Sequence, residues 1–321
     1  MKKLILFILS TILLSAITWA NSVEDFLKVP AKTTAYYGGS FSPVLMEKVR
    51  DFSGNAADYL KAFDNFDGYT NHTLTDEEKN LFEEYFSYLP EKLQQAVSEN
   101  VYAIYFVDGM WYGAMTDFIF DENKRTYCTM FLNPDIFHHS LDEWLTYRDN
   151  TIFKDVNDKN KIIVESDSKQ LAFMQTFFHE AVHVYDYINH VTPYQFDPSL
   201  PYDSKNLFFS AWKNMQEPVK KYQNKKFEKT AFYEYGTKIP VKNGKEILEY
   251  LGNTPFCTLY AATNWMDDLA EEVTFYYLNK KFGINYKVTY IKNGKIEATY
   301  SYTENQNSKL YNSLCKEITG L

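Results

Sequence analysis

Three cysteines in 321 residues, Cys128, Cys257 and Cys315, are too few for a disulfide scaffold. An exported chain could still join two of them, although the sequence does not choose the pair. Positive charge is also scarce. The 33 Lys and Arg stand against 42 Asp and Glu, a net charge of −9, which lacks the basic footprint that nucleic-acid binding needs. There is no periodic repeat, no low-complexity tract and no apolar run long enough to span a bilayer. The run Leu4 to Leu14 is short and interrupted by Ser10 and Thr11. With Lys2 and Lys3 before it, and small Thr18 and Ala20 after it, residues 1–20 read as a secretory signal peptide cleaved after Ala20. No cysteine follows that point to carry a lipid. The expected destination is the periplasm or the exterior, with no stable membrane insertion once the leader is removed.

What is abundant is aromatic. Twenty-seven Tyr and 25 Phe indicate a packed interior. Residues 21–99 read as a helix-rich region, with "SPVLMEKVRDF" and "TDEEKNLFEEYFSYLPEKLQQAV" as its amphipathic segments. Thr75 and Glu78 have the spacing of a capping box. From Val101 the chain turns β-branched and aromatic, broken at Asp108-Gly109 and at Asp121 to Arg125, which predicts three strands in a meander. Helical patterning returns over Ser140 to Tyr147 and Ser168 to Ile188. A proline-rich loop follows over 191–206, then helical segments at 207–222, 245–252 and 267–280. Asn293-Gly294 between alternating stretches predicts a hairpin, and a short helix closes the chain.

The stretch "TFFHEAVHVYDYINH", residues 176–190, holds His179, Glu180 and His183 in the order His-Glu-x-x-His. At 100° per residue His183 falls about 40° from His179, and Glu180 about 100° away. Leu171, Met174, Phe178, Ala181, Val182, Tyr185 and Ile188 complete an apolar stripe on the opposite side. The core is therefore served without the histidines. Imidazoles one turn apart can share a tetrahedral ion, and Glu180 lies beside them as a proton acceptor for a water the ion activates. His190 lies two turns beyond His183 and is too far to join them; His138 and His139 read as a loop or helix-start feature.

Two histidines leave a ligand to find. In "LYAATNWMDDLAEEVTFYYL", residues 259–278, Asp267 and Glu271 stand one turn apart and away from the apolar stripe of their own helix. Packed against the histidine helix, one could complete a zinc site and the other orient a histidine. Geometry on the wheel does not separate the two. The plainer alternative is a solvated acidic face shared with Asp268 and Glu272.

The pairing of "HEAVHVYD" with "YAATNWMDDLAE" resembles the lethal-factor-like zinc metallopeptidases, a gluzincin-type family, over residues 170–190 and 257–278. Asp186 matches the family's Asp three residues after the second histidine. Tyr260, Asn264, Asp267 and Ala270-Glu271 fall on its downstream positions without a gap, and Asp267 replaces the family's Glu. The resemblance implies one Zn2+ per chain, held by His179, His183 and Asp267. It implies Glu180 as general base, Tyr260 as donor to the oxyanion, and Glu271 behind the ligands, with Asp186 matching beside them. The fold expected is α+β, with a zincin-like metallopeptidase domain over 100–321 behind the helix-rich region. The activity expected is that of an exported zinc-dependent endopeptidase acting on a protein or peptide, which would lie along an edge strand such as "YCTMFL". A silent zincin scaffold serving in binding or host interaction would be marked by loss of Glu180, which is present.

Overall fold

Val101–Val107 is buried residue by residue, the mark of a strand covered on both faces and flanked on both edges. The computed structural model describes residues 23–193, 205–233 and 236–321, so the expected signal peptide lies outside the described residues, as does most of the loop expected at 191–206. Contacts group the described residues into two compact units: those within Met1–Tyr88, Gln94–Pro134 and Val184–Asp203 form the first, and those within Leu89–Leu93, Asp135–His183 and Ser204–Leu321 the second.

The first unit holds helices α1 (Gly54–Asp64) and α2 (Asp76–Tyr88), most of α3 (Glu91–Asn100), and a sheet. Its strands are β1 (Thr70–Asn71), β2 (Val101–Asp108), β3 (Ala114–Phe120) and β4 (Thr126–Leu132), in the order β1-β2-β4-β3. The capping box forms: Glu78 N donates to Thr75 Oγ1 at 3.2 Å, and Thr75 N to Glu78 Oε2 at 2.7 Å. Buried Lys48 donates to the carbonyls of Ser42, Ser98 and Val101. Buried Lys32 pairs with Asp117 of β3, whose other oxygen accepts from Tyr59 at 2.5 Å.

The second unit opens with α4 (Leu141–Asn150), started by a complete capping box between Ser140 and Glu143. Next come β5 (Phe153–Lys154), β6 (Lys161–Glu165) and the larger part of α5 (Ala172–Asn189). After β7 (Ile239–Pro240), paired with β5, come α6 (Gly244–Gly252), α7 (Trp265–Phe282), the hairpin β8 (Lys287–Lys292) and β9 (Lys295–Ser301), and α8 (Asn312–Thr319). The second sheet runs β6-β8-β9. Its hairpin turns on Asn293 and Gly294, with φ of 52° and 75°, as expected of that dipeptide. A Cβ on Gly244 would stand 2.5 Å from the Tyr290 ring, so the start of α6 seats on β8 only with glycine there.

The fold is α+β. Several sequence expectations need correction. Strands β2 to β4 are not a meander: β2 and β4 pair in parallel, and β3 lies outside β4. "YCTMFL" is therefore an inner strand, and β3 lies at the edge. The segment "SPVLMEKVRDF" forms only a 3₁₀ turn, Leu45–Lys48, and 207–222 forms two such turns rather than a helix. The three cysteines are buried free thiols. Among the described residues no helix is long and apolar enough to cross a membrane.

Candidate metal centre

Helix α5 is buried on nearly every side along its first four turns, its polar face included. His179 and His183 are 6% and 9% exposed, so the face opposite the apolar stripe also meets protein. Within the second unit that neighbour is α7. His179 Nε2 stands 3.4 Å from Asp267 Oδ1, His183 Nε2 3.3 Å from the same oxygen, and the two Nε2 atoms 3.0 Å apart. A tetrahedral ion with bonds of about 2.0–2.1 Å has ligand–ligand edges of about 3.3–3.4 Å. Two ring nitrogens and a carboxylate oxygen converging at such distances repel one another unless a proton or a cation lies among them. These three residues form the one group with metal-ligand geometry found among the described residues.

Of the remaining sequence-selected residues, Glu271, Glu180 and Tyr260 belong to the second unit, as the triangle does. Glu271 accepts from His179 Nδ1 at 3.1 Å, leaving Nε2 for the triangle. Glu180 is 4% exposed, and its Oε2 has no hydrogen-bond partner among the described residues. A buried carboxylate oxygen left without a donor is uncommon. The Tyr260 ring centroid lies 5.7 Å from that of His179 and is held edge-on by Phe232 at 4.9 Å. Its backbone sits in a turn closed by Thr263 Oγ1, which donates to Tyr260 O at 2.7 Å. Asp186 is fully buried and accepts from Thr192 N and Oγ1 at 2.8 and 2.7 Å, tying down the chain that leaves α5. His190 adopts a left-handed φ of 52° just past the helix and lies outside the triangle.

The start of α7 aims Asp267. Asn264 is its N-cap, accepting from Met266 N and Asp267 N at 3.0 and 2.9 Å. The same side chain donates through Nδ2 to Asp267 Oδ2 at 2.6 Å, which turns Oδ1 toward the histidines. Burial favours protonated Asp267, but the hydrogen bonds from His179 and His183 outweigh it and hold the carboxyl below its ordinary range. Burial likewise works against the His179 imidazolium, yet Asp267 and Glu271 push its pKa up to about 10.

Three groups that hold Glu271 escape a reading of the sequence or nearly so. Arg148 Nη1, from α4, lies 3.1 Å from both Glu271 oxygens. Gln175 Nε2 donates at 2.9 Å and Thr258 Oγ1 at 2.6 Å. Behind them Asp149 accepts from Arg148 Nε at 3.1 Å and from the Tyr286 hydroxyl. Burial opposes ionised Glu271, but Arg148 and His179 hold it below its ordinary value. Gln175 was findable, since it precedes His179 by four residues on the same helix face. Arg148 gave a fainter signal, as one of three arginines among thirty lysines.

Asp268 and Glu272 are not a solvated face. They are 0% and 1% exposed. Asp268 accepts from Trp212 Nε1 at 2.8 Å, and burial pushes its pKa up to about 8. Burial, and then the neighbouring Asp268, pushes Glu272 well up.

No protein-family model, no curated protein and no solved structure matches the chain.

Proposed function

We propose that the chain is a zinc-dependent peptidase with a zincin-like catalytic unit, exported to act on proteins or peptides. The observation that carries this reading is the triangle of His179 Nε2, His183 Nε2 and Asp267 Oδ1, with edges of 3.0 to 3.4 Å, beside a buried Glu180 oxygen that lacks a partner among the described residues. Two imidazoles and a carboxylate are a donor set suited to zinc, and catalytic sites hold the ion by three protein ligands and keep a fourth position open.

When bound, the ion would polarise the scissile carbonyl and acidify a water. The chain's residues do the rest. Glu180 accepts the proton of the attacking water and returns it to the leaving amine, a role for a carboxylate with an unsatisfied oxygen. The Tyr260 hydroxyl donates to the carbonyl oxygen as negative charge develops there. Glu271 fixes His179 through Nδ1, so that Nε2 keeps its lone pair for the metal.

The test compares the purified wild type with Glu180→Gln. Metal content is measured by mass spectrometry, and cleavage is scored on a proteome-derived peptide library. The variant should retain about one zinc per chain, because no ligand has changed, and lose nearly all cleavage. If the zinc-loaded wild type cleaves nothing in the library, the site is a silent scaffold. If the variant cleaves as well as the wild type, Glu180 is not the base.

A further inference from the structure

The strongest group outside the roles already assigned is a buried arginine. Arg148 is 3% exposed and comes from α4, which contributes no residue to the triangle. Its Nη1 spans both oxygens of Glu271 at 3.1 Å, and its Nε meets Asp149 at 3.1 Å. Its guanidinium carbon also lies 5.1 Å from the centroid of the Tyr260 ring. One side chain thus touches the carboxylate behind His179 and the ring of the oxyanion donor.

Burying a guanidinium costs several kcal/mol after relaxation, and a purely structural role would be filled as well by apolar residues of similar volume. The geometry gives another reason for it. Glu271 has to present an acceptor to His179 Nδ1 in one fixed direction. Gln175 and Thr258 each donate to one of its oxygens, and Arg148 adds a guanidinium contact with Nη1 equidistant from both, so that the three together hold the carboxylate against His179. We propose that Arg148 is a positioning residue for the metal centre: by orienting Glu271 it dictates that His179 carries its proton on Nδ1 and offers Nε2 to the ion. This rests on the zinc reading above, and no substrate contact is assigned to Arg148.

A double-mutant cycle on zinc affinity tests it, using R148K, R148Q, E271Q and the combined variants, each first shown to be folded by circular dichroism. Zinc dissociation constants are read by competition with a chromophoric chelator. R148K and R148Q should each weaken zinc binding about 10- to 100-fold in the wild-type background, the usual effect of losing a partner behind a ligand. In the E271Q background the same substitutions should change affinity by less than about threefold, because the group through which Arg148 acts has gone. A merely structural arginine would lower thermal stability in both backgrounds by the same amount and show no such coupling in zinc affinity. Equal losses in the two backgrounds, or none in either, would overturn the proposal. If both arginine variants fold only when Glu271 is also replaced, Arg148 serves to neutralise a buried charge and the positioning role is likewise overturned. A wild type that binds no zinc fails the peptidase reading itself, which the cycle registers separately.

Discussion

Helix α7 carries two carboxylate pairs of identical spacing and opposite fate. Asp267 and Glu271 stand one turn apart, as do Asp268 and Glu272, with the second pair rotated about 100° around the axis. Both pairs are withdrawn from water; Asp267, with 16% of its side chain exposed, is the most accessible of the four. The first pair faces His179, His183 and Arg148, and both of its members stay ionised against their burial. The second pair faces Trp212 and the Cys257 thiol, neither a cation; burial pushes Asp268 up to about 8 and pushes Glu272 well above its ordinary value. Depth does not decide whether a carboxylate is charged; what it faces does. Four acids in six residues look alike in sequence, yet two are ionised acceptors and two behave as neutral polar groups.

Substitutions along this helix should separate the pairs, and the largest contrast is at adjacent residues. Asp267→Ala should abolish tight zinc binding, since two histidines and water make a poor site, whereas Asp268→Asn should leave it intact. Equilibrium dialysis with zinc checks both, and loss in the second variant would erase the distinction. Glu271→Ala should weaken zinc binding about 10- to 100-fold, being one step removed from the ion. A loss as complete as that of Asp267→Ala would make Glu271 the ligand instead.

The third contrast depends on pH. Unfolded Asp268 ionises near about 3.9, and folded Asp268 only near about 8. Across that window the folded state keeps a proton that the unfolded chain has released, so Asp268 makes the protein less stable as pH rises. In metal-free protein, the stability of Asp268→Asn relative to wild type should improve from pH 5 to pH 8, as read from urea midpoints. Parallel midpoints at the two pH values would show that Asp268 is not held neutral. The smallest effect belongs to Glu272→Gln. Burial, and then Asp268, disfavours the charge of Glu272, so a neutral side chain of the same shape should change stability by less than about 1 kcal/mol. A larger loss in thermal melts would mean that Glu272 is ionised in the folded protein.

The parts of this arrangement legible in the sequence are those set by one helix at a time. The spacing of His179 and His183 puts them on one face, and that of Asp267 and Glu271 does the same on α7. The Thr75–Glu78 capping box and the Asn293-Gly294 turn are local for the same reason. What escaped depends on partners distant in sequence. Arg148 lies 123 residues from Glu271. Asp268 and Glu272 looked like solvent-facing acids because a helical wheel cannot tell a solvated face from a second interior one. The order β1-β2-β4-β3 was hidden because β3 and β4 pair as neighbours whether or not β2 then joins β4 in parallel.

The cap at Asn264 has a consequence for motion. Its side chain holds the first amides of α7 and one oxygen of Asp267 together. The turn that opens first when a helix frays is here the turn that carries Asp267. Fraying at this end would carry Asp267 away from the histidines, and any cation that bridges the three would have to leave before the turn could open. Hydrogen exchange at the amides of Met266 and Asp267 would then track occupancy of the centre, slow when it is filled and fast when it is not, while the far end of the same helix exchanged at an unchanged rate.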